Sequence, residues 1–442
     1  MQMAMDCAGF DGSLADQLRR AMGSKRSPER MEALRARFMV GANEKGVTAD
    51  VAHQIFDKLK AFSDFGFPES HSFSFAYLVY ASCWLKVHKP AAFYAGLLAA
   101  QPMGFYSPQS LAADARRHGQ VVLRPCVSRS DALARVERLD APFEAPAEVR
   151  PDLNALVRIE PHLAVRMGLA AVKGLGADAA QAIVDARAEA PFVSLSDMAR
   201  RVRVRQGGFQ GAVQRAQAQA VEATLERVAG GGAGSGAAAP FASVADVGTR
   251  PLTKAQWEAL ATSGALETLG VTRREGLWAA GLIALEGPDT LPGVVPGVEA
   301  PVLPVMSKVE EAISDVWAHG VSVDSYPTIF VREGLDRNGV LTVAGVLEHE
   351  AERRVSVAGV VTHRQRPGTA KGVTFISLED ETGFLNVICS QGVWRRYQAV
   401  ARRAQALVIR GRIERADGAT NLVAEHLAPL SLKVASKSRD FQ

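Results

Sequence analysis

The stretch Arg166-Met-Gly-Leu-Ala-Ala-Val-Lys-Gly-Leu-Gly176, followed by the helix-prone run 177–187, decides how this chain is read. A Val-Lys-Gly-Leu-Gly turn ahead of a helix is the signature of a helix-hairpin-helix. Its glycines let backbone N–H groups approach a DNA phosphate without regard to base sequence, and Lys173 adds charge. Lys173, Gly174, Leu175 and Gly176 are therefore candidate DNA-backbone contacts. An ordinary αα-turn with glycine caps remains the alternative. Further on, 253–269, ending Ser263-Gly-Ala-Leu-Glu-Thr-Leu-Gly270, gives a weaker hairpin signal of the same kind.

C-terminal to the hairpins the periodicity becomes that of strands. Five short β-prone runs occur at 355–362, 372–379, 384–389, 407–412 and 420–424, with a helix-like segment at 393–403 between the third and fourth. That order predicts an OB-fold, a small barrel that often binds oligonucleotides. Between Arg353 and Arg415 there are twelve Lys/Arg and four acids. The loop Arg364-Gln-Arg-Pro-Gly-Thr-Ala-Lys-Gly-Val-Thr-Phe375 places Arg364, Arg366 and Lys371 as candidate phosphate contacts and Phe375 as a candidate stacking residue. A solvated basic loop with Phe375 in the barrel core is the competing reading. Leu378-Glu-Asp-Glu-Thr-Gly383 reads as a charged hairpin turn rather than a metal site.

N-terminal to the hairpins, 15–22, 28–38 and 48–62 carry apolar residues at helical spacing. Ser27-Pro28-Glu29 is a helix start, and Pro90 opens another helix. From Arg19 to Lys45 eight Lys/Arg face three acids. Arg19, Arg20, Lys25 and Arg26 suit the phosphates of a nucleotide or a DNA backbone, unless they form only a solvated basic face. Ser70 and His71 stand where a glycine-proline turn enters a helix, beside N–H groups that can receive a phosphate. The aromatics behind them, Phe73 to Tyr77, are expected in the core. Asp64-Phe65-Gly66 lacks every companion motif of a kinase and is accidental.

The whole is expected to be multidomain and mostly α, with a C-terminal all-β OB-fold. The boundaries are 1–125, a connector at 126–163, a tandem hairpin region at 164–285 with a flexible insert near 205–247, a linker at 286–345, and the barrel at 346–432. The run 230–240 is low-complexity Gly/Ala and cannot bury a core. In 442 residues of net charge +4 there is no apolar run of about 18, so no membrane partner is expected. The N-terminus has no signal-peptide pattern, which points to the cytoplasm. Cys7, Cys83, Cys126 and Cys389 are too far apart in sequence for a zinc site.

Several segments, in order, resemble the fingers region of bacterial C-family DNA polymerases: Ala15-Asp-Gln-Leu-Arg-Arg-Ala-Met-Gly-Ser-Lys-Arg26, Phe65-Gly-Phe-Pro-Glu-Ser-His71, Gln101-Pro-Met-Gly-Phe-Tyr-Ser107 and Asp114-Ala-Arg-Arg-His-Gly119. The Gln-Pro-Met-Gly-Phe-Tyr stretch is most similar to the error-prone paralogue of the polymerase III alpha subunit. The likeness runs on through the hairpins and the Leu-Glu-Asp-Glu-Thr-Gly segment to about residue 430.

The resemblance implies a C-terminal segment of a DNA-directed DNA polymerase acting in damage-induced translesion synthesis and mutagenesis. Its DNA partners would be primer-template and single-stranded template, with dNTP bound in the complete enzyme. By family, a Y-family-like accessory protein is a partner and the sliding clamp an indirect one. Nucleotidyl transfer needs carboxylates holding two Mg²⁺ ions. In the family these lie in a palm that precedes the fingers, and no strand-borne Asp-x-Asp pair occurs here. The chain alone is therefore expected to bind DNA without extending a primer, with Mg²⁺ serving only the complete polymerase. Segment 203–247 is longer than the resemblance leads one to expect, and Tyr326-Pro327 stands where the family usually has His-Pro. A non-enzymatic DNA-binding or scaffold remnant is the second reading, and an RNA-binding OB/hairpin protein the third.

Overall fold

In the computed structural model, the described residues are 2–22, 27–61, 69–104, 106–143, 156–205, 248–287, 300–367, 372–416, 418–432 and 439–441, with isolated positions 209, 290 and 370. They form two units, Met1–Cys83 and Trp84–Gln442. The insert at 210–247, Lys25, Arg26 and Lys371 lie outside the described residues, as does the Ser70 side chain.

The first unit holds α1 (Gln2–Ala8), α2 (Gly12–Met22), α3 (Ser27–Glu44), α4 (Ala49–Ala61) and most of α5 (Glu69–His88). The expected helical periodicity is realised: Leu18, Met31, Phe38 and Phe56 are buried together. Phe38 is the hub, with its ring 5.8 Å from Phe10 and 5.4 Å from Phe56. α5 departs from expectation. Phe73 is 77% exposed and Tyr80 72%. The four preceding helices close their core without α5, and its apolar residues are spread around the helix rather than along one stripe. These aromatics are a surface, not a core.

The second unit begins with the last turn of α5, then α6 (Pro90–Ala99) and α7 (Pro108–Arg117). A three-stranded sheet follows: β1 (Val122–Leu123), β2 (Arg135–Arg138) and β3 (Leu163–Arg166), ordered β1-β3-β2. The expected connector at 126–163 thus contributes strand β2. Its antiparallel register with β3 is fixed by Glu137, whose carboxylate accepts from Arg166 at 2.6 Å and from Arg129 at 3.0 Å. Short strands dominated by charge hide from a periodicity reading.

The hairpin region comprises α8 (Ala177–Glu189), α9 (Leu195–Arg201), α10 (Lys254–Thr262) and α11 (Arg273–Ile283), with α12 (Lys308–His319) behind them. One core joins them through Leu175, Ile183, Met198, Trp257, Leu260 and Ile283. Thr253/Gln256 and Thr272/Glu275 form capping boxes that set the starts of α10 and α11.

After α13 (Arg332–Arg337) and α14 (Val343–Glu348) comes the barrel: β4 (Arg354–Gln365), β5 (Thr374–Glu379), β6 (Phe384–Cys389), α15 (Gln391–Arg396), α16 (Gln398–Arg403), β7 (Ala406–Ala416) and β8 (Ala419–Pro429), with β9 (Arg439–Phe441) beside β4. β4 pairs with both β5 and β7, and β6 pairs in parallel with β8, which closes the sheet. This is the five-strand OB order with its helical segment between the third and fourth strands, as expected.

Candidate nucleic-acid interface

The hairpin turn is built by two positive-φ glycines, Gly174 at +88° and Gly176 at +82°. An L-residue there would be strained, although a Cβ at either position would meet nothing within 4 Å. Leu175 between them is buried and pins the turn to the core, so its side chain faces away from any DNA. Its carbonyl accepts from Gln256 Nε2 at 2.7 Å, which couples the first hairpin to the second. The Lys173 N–H donates to Ala318 O at 2.7 Å, at the end of α12. The N–H groups of Gly174 and Gly176 have no acceptor among the described residues, and both glycines are exposed. The exposed Lys173 holds its Nζ 5.4 Å from the Trp317 ring centroid. Two outward amides and one ammonium at the start of a thirteen-residue helix form an anion-receptive corner.

Behind the turn lies a buried charge cluster. Asp315 on α12 accepts from Arg273 at 2.6 Å and from Arg124 at 3.2 Å, tying α11 and the residue that follows β1 to α12. Burial pushes the Asp315 carboxyl up, but His319, Arg124 and Arg273 together hold it below the usual range. His319, fully buried one turn on, has its Nε2 3.6 Å from Asp315 Oδ1, beyond hydrogen-bond length. Burial drives its imidazole pKa down, despite that carboxylate.

The barrel loop differs from expectation. β4 and β5 slip register between Val361 and His363, a bulge that leaves Thr362 extra. Before it, Val361 faces the barrel core opposite Leu378. After it, Arg364 stands opposite core residue Ile376, while His363 and Gln365 stand opposite Ser377 and Phe375 on the outer face. Arg364 is buried and donates from Nε to Ala401 O at 2.6 Å and from Nη2 to Ala404 O, capping α16. The expected phosphate contact at Arg364 is therefore replaced by a helix-capping role. Arg366 is exposed, and Phe375 is 36% exposed on the outer face rather than in the core.

In the first unit, Arg19 and Arg20 share the single carboxylate of Asp16, at 2.8 Å and 2.7 Å. The Arg19 hydrogen bond leads the lowering of the Asp16 pKa. Two cations on one acid leave net positive charge on an exposed helix end. His71 is exposed, with its ring 4.6 Å from Phe75.

Four exposed arginines went unassigned from sequence: Arg395 and Arg396 on α15, and Arg402 and Arg403 on α16, with no acidic partner among the described residues. The doubled arginines at each helix end were the available signal. The acidic turn after β5 is structural. Asp380 Oδ1 accepts from the Thr382 and Gly383 amides at 2.8 and 3.0 Å, and Glu381 pairs with Arg332. Glu379 is buried against α7, where it accepts from Ser110 at 2.8 Å and Arg117 at 3.1 Å. Burial raises its pKa even beside that guanidinium. Among the described residues no three His, Cys, Asp or Glu are grouped to hold a metal ion. No helix among them is long and apolar enough to cross a membrane.

Comparison with known proteins agrees with this architecture. The family model of the bacterial DNA polymerase III alpha subunit finger domain matches residues 1–46, a helix-hairpin-helix motif matches 119–226, and an OB-fold nucleic acid binding domain matches 355–430. All of the chain aligns, at 48% identity, with 34% of an error-prone DNA polymerase of Mycobacterium tuberculosis, and at 47% with 33% of that of Nocardia farcinica. The Corynebacterium glutamicum error-prone DNA polymerase is 44% identical, with 35% of its length covered. The chain thus spans about a third of the length of the curated relatives it matches. Among solved structures, asparaginyl-tRNA synthetase from Pyrococcus horikoshii is similar over 22% of this chain and 24% of its own, at 18% identity and a TM-score of 0.18.

Proposed function

Since this chain belongs to the family of the bacterial error-prone DNA polymerases, as a counterpart of about a third of their length, we propose that it is the DNA-gripping segment of such a polymerase. The observation that supports this best is the corner formed by Lys173 and the outward amides of Gly174 and Gly176. Backbone N–H groups hold a phosphate whatever the base, which suits an enzyme that must move along its template. Arg366 and the exposed arginines of α15 and α16 would add backbone charge at the barrel, and Phe375 a stacking face. Arg19, Arg20 and His71, with Lys25, Arg26 and Ser70, are proposed for the phosphates of incoming dNTP or of primer-template DNA.

The finer reading follows from the family. The complete polymerase would act in translesion synthesis and mutagenesis after DNA damage, in the cytoplasm, with a Y-family-like accessory protein and indirect clamp contact. Catalysis with Mg²⁺ would belong to parts of such polymerases beyond those this chain matches, so the isolated chain would hold DNA without extending it.

Binding to primer-template and single-stranded DNA across a salt series tests the reading. Lys173→Ala and Arg366→Ala should each weaken binding and reduce the slope of log K against log salt by about 0.9 per lost phosphate contact. Unchanged slopes in both variants would remove the claim. Reproducible primer extension by the purified chain with Mg²⁺ would overturn the catalytic half of the proposal. Tighter binding to RNA than to DNA of the same sequence would move the substrate to RNA.

A further inference from the structure

Between α6–α7 and the outer face of β5–β6 lies a cleft of about 540 Å³, within the range of small-molecule sites. We infer that this cleft receives a single unstacked nucleobase of a strand bound across the barrel, an inference that rests on the DNA-binding reading above.

The walls are aromatic on both sides. Phe384 projects from β6, with Arg117 Cζ 6.0 Å from its ring centroid. Tyr106, from the Gln-Pro-Met-Gly-Phe-Tyr stretch, lines the same cleft with its ring 6.3 Å from that of His363. Both are open to an incoming ring, at 37% and 52% exposure. Every base has a π-face, so two such rings favour a base over an extended peptide.

The polar groups suit the same ligand. Asn386 and Gln365, on the outer face of the two strands that flank β5, each carry an amide donor and an amide acceptor, the pair of functions found along a base edge. Asp114, the one carboxylate among the described residues of the wall, is paired with Lys86 at 2.9 Å and accepts from Tyr94 at 2.7 Å. Its charge is therefore answered within the wall and does not repel a phosphate-bearing strand. The phosphate itself has Arg366, exposed one residue beyond Gln365. A base stacked within a duplex has no free face to offer, so the cleft selects single strand.

This placement explains a feature the DNA-binding reading leaves aside. The bulge at Thr362 that turns Arg364 inward is the same device that brings His363 and Gln365 to the cleft side. One inserted residue trades a cation for base-edge chemistry.

The test compares binding of a normal oligothymidylate and an abasic oligonucleotide of equal length to the full chain, its Phe384→Ala variant and its Asn386→Ala variant. The wild-type chain should prefer the base-bearing strand roughly tenfold, as one stacked base warrants. Phe384→Ala should abolish most of that preference while leaving abasic binding unchanged; Asn386→Ala should reduce it less. Both side chains lie outside the barrel core, and thermal melts check that the variants fold. A preference retained in full by both variants overturns the inference and leaves the DNA-binding reading intact. Salt-insensitive or absent binding of both oligonucleotides to the wild-type chain would instead overturn that reading. Competition by free thymidine monophosphate as strong as by the strand would assign the cleft to a mononucleotide, and an equal gain with oligouridylate would assign it to RNA; either outcome overturns the single-stranded DNA assignment.

Discussion

The turn at Val172–Gly176 and the β4–β5 loop look alike in sequence: each places a cation next to glycines ahead of a regular element. In the structure they part. The hairpin keeps Lys173, Gly174 and Gly176 at the surface, whereas the barrel turns Arg364 inward to cap α16. The hairpin presents backbone N–H groups, and glycine φ values alone set their direction. The barrel presents side chains, whose direction depends on strand parity, and one extra residue reverses parity.

The strongest way to break this comparison is to delete Ala358, a regularly paired residue of β4. β4 would then have to place either Val357 or Val361, both core residues, on the wrong face. The cost should exceed the ~4 kcal/mol at which mutational effects become exceptional, seen as loss of the barrel's cooperative transition in urea. Deleting Thr362 instead leaves Val361 opposite Leu378, His363 opposite Ser377 and Arg364 opposite Ile376 in an unbroken ladder, and the barrel should survive. A barrel of unchanged stability without Ala358, or one lost without Thr362, would refute the parity argument. Arg364→Ala comes next. It removes a buried donor from two carbonyls and should destabilise by about 1–3 kcal/mol, with no change in the salt slope of DNA binding. A change in slope without loss of stability would return Arg364 to the DNA surface.

The third effect separates the regions by pH. The folded pKa of His319 lies below its ordinary 6.5. As pH falls, the unfolded chain takes up the proton first, so stability present above about pH 6.5 is lost below it, by at most about 1.4 kcal/mol per pH unit. Because Ala318 O next to this histidine accepts the Lys173 N–H, the hairpin amides should lose hydrogen-exchange protection in this window while the β4–β5 amides keep theirs. His319→Phe should flatten the profile; an unaltered profile would show that another group titrates. Smallest in stability is Lys173→Ala, expected within about 0.5 kcal/mol as an exposed substitution. Its effect belongs to DNA affinity, and a larger loss of stability would mean that the contact with Trp317 supports the fold.

Much of the architecture was legible because it rests on local rules. Helices at Leu18, Phe38 and Phe56 spacing, the glycine turn and five alternating strands around a helix each declare themselves within a dozen residues. β2 did not, since its residues are mostly charged and it is held by Glu137, Arg166 and Arg129 rather than by alternation. The aromatics of α5 misled because apolar composition normally signals burial, and only the closed packing around Phe38 shows that no room is left for them. The outer-face residues Asn386, Gln365 and Phe384 carry no motif. They matter through what stands opposite them.

The sequence by itself determined the order of parts and the hairpin's glycine turn, because propensity, patterning and glycine conformations act over a few residues. Only the tertiary structure decided which cations face solvent and which are spent on carbonyls and buried carboxylates. It also joined Tyr106 to a strand some 250 residues on, at His363. Those outcomes depend on register and on long-range packing, and neither has a local signature in the chain.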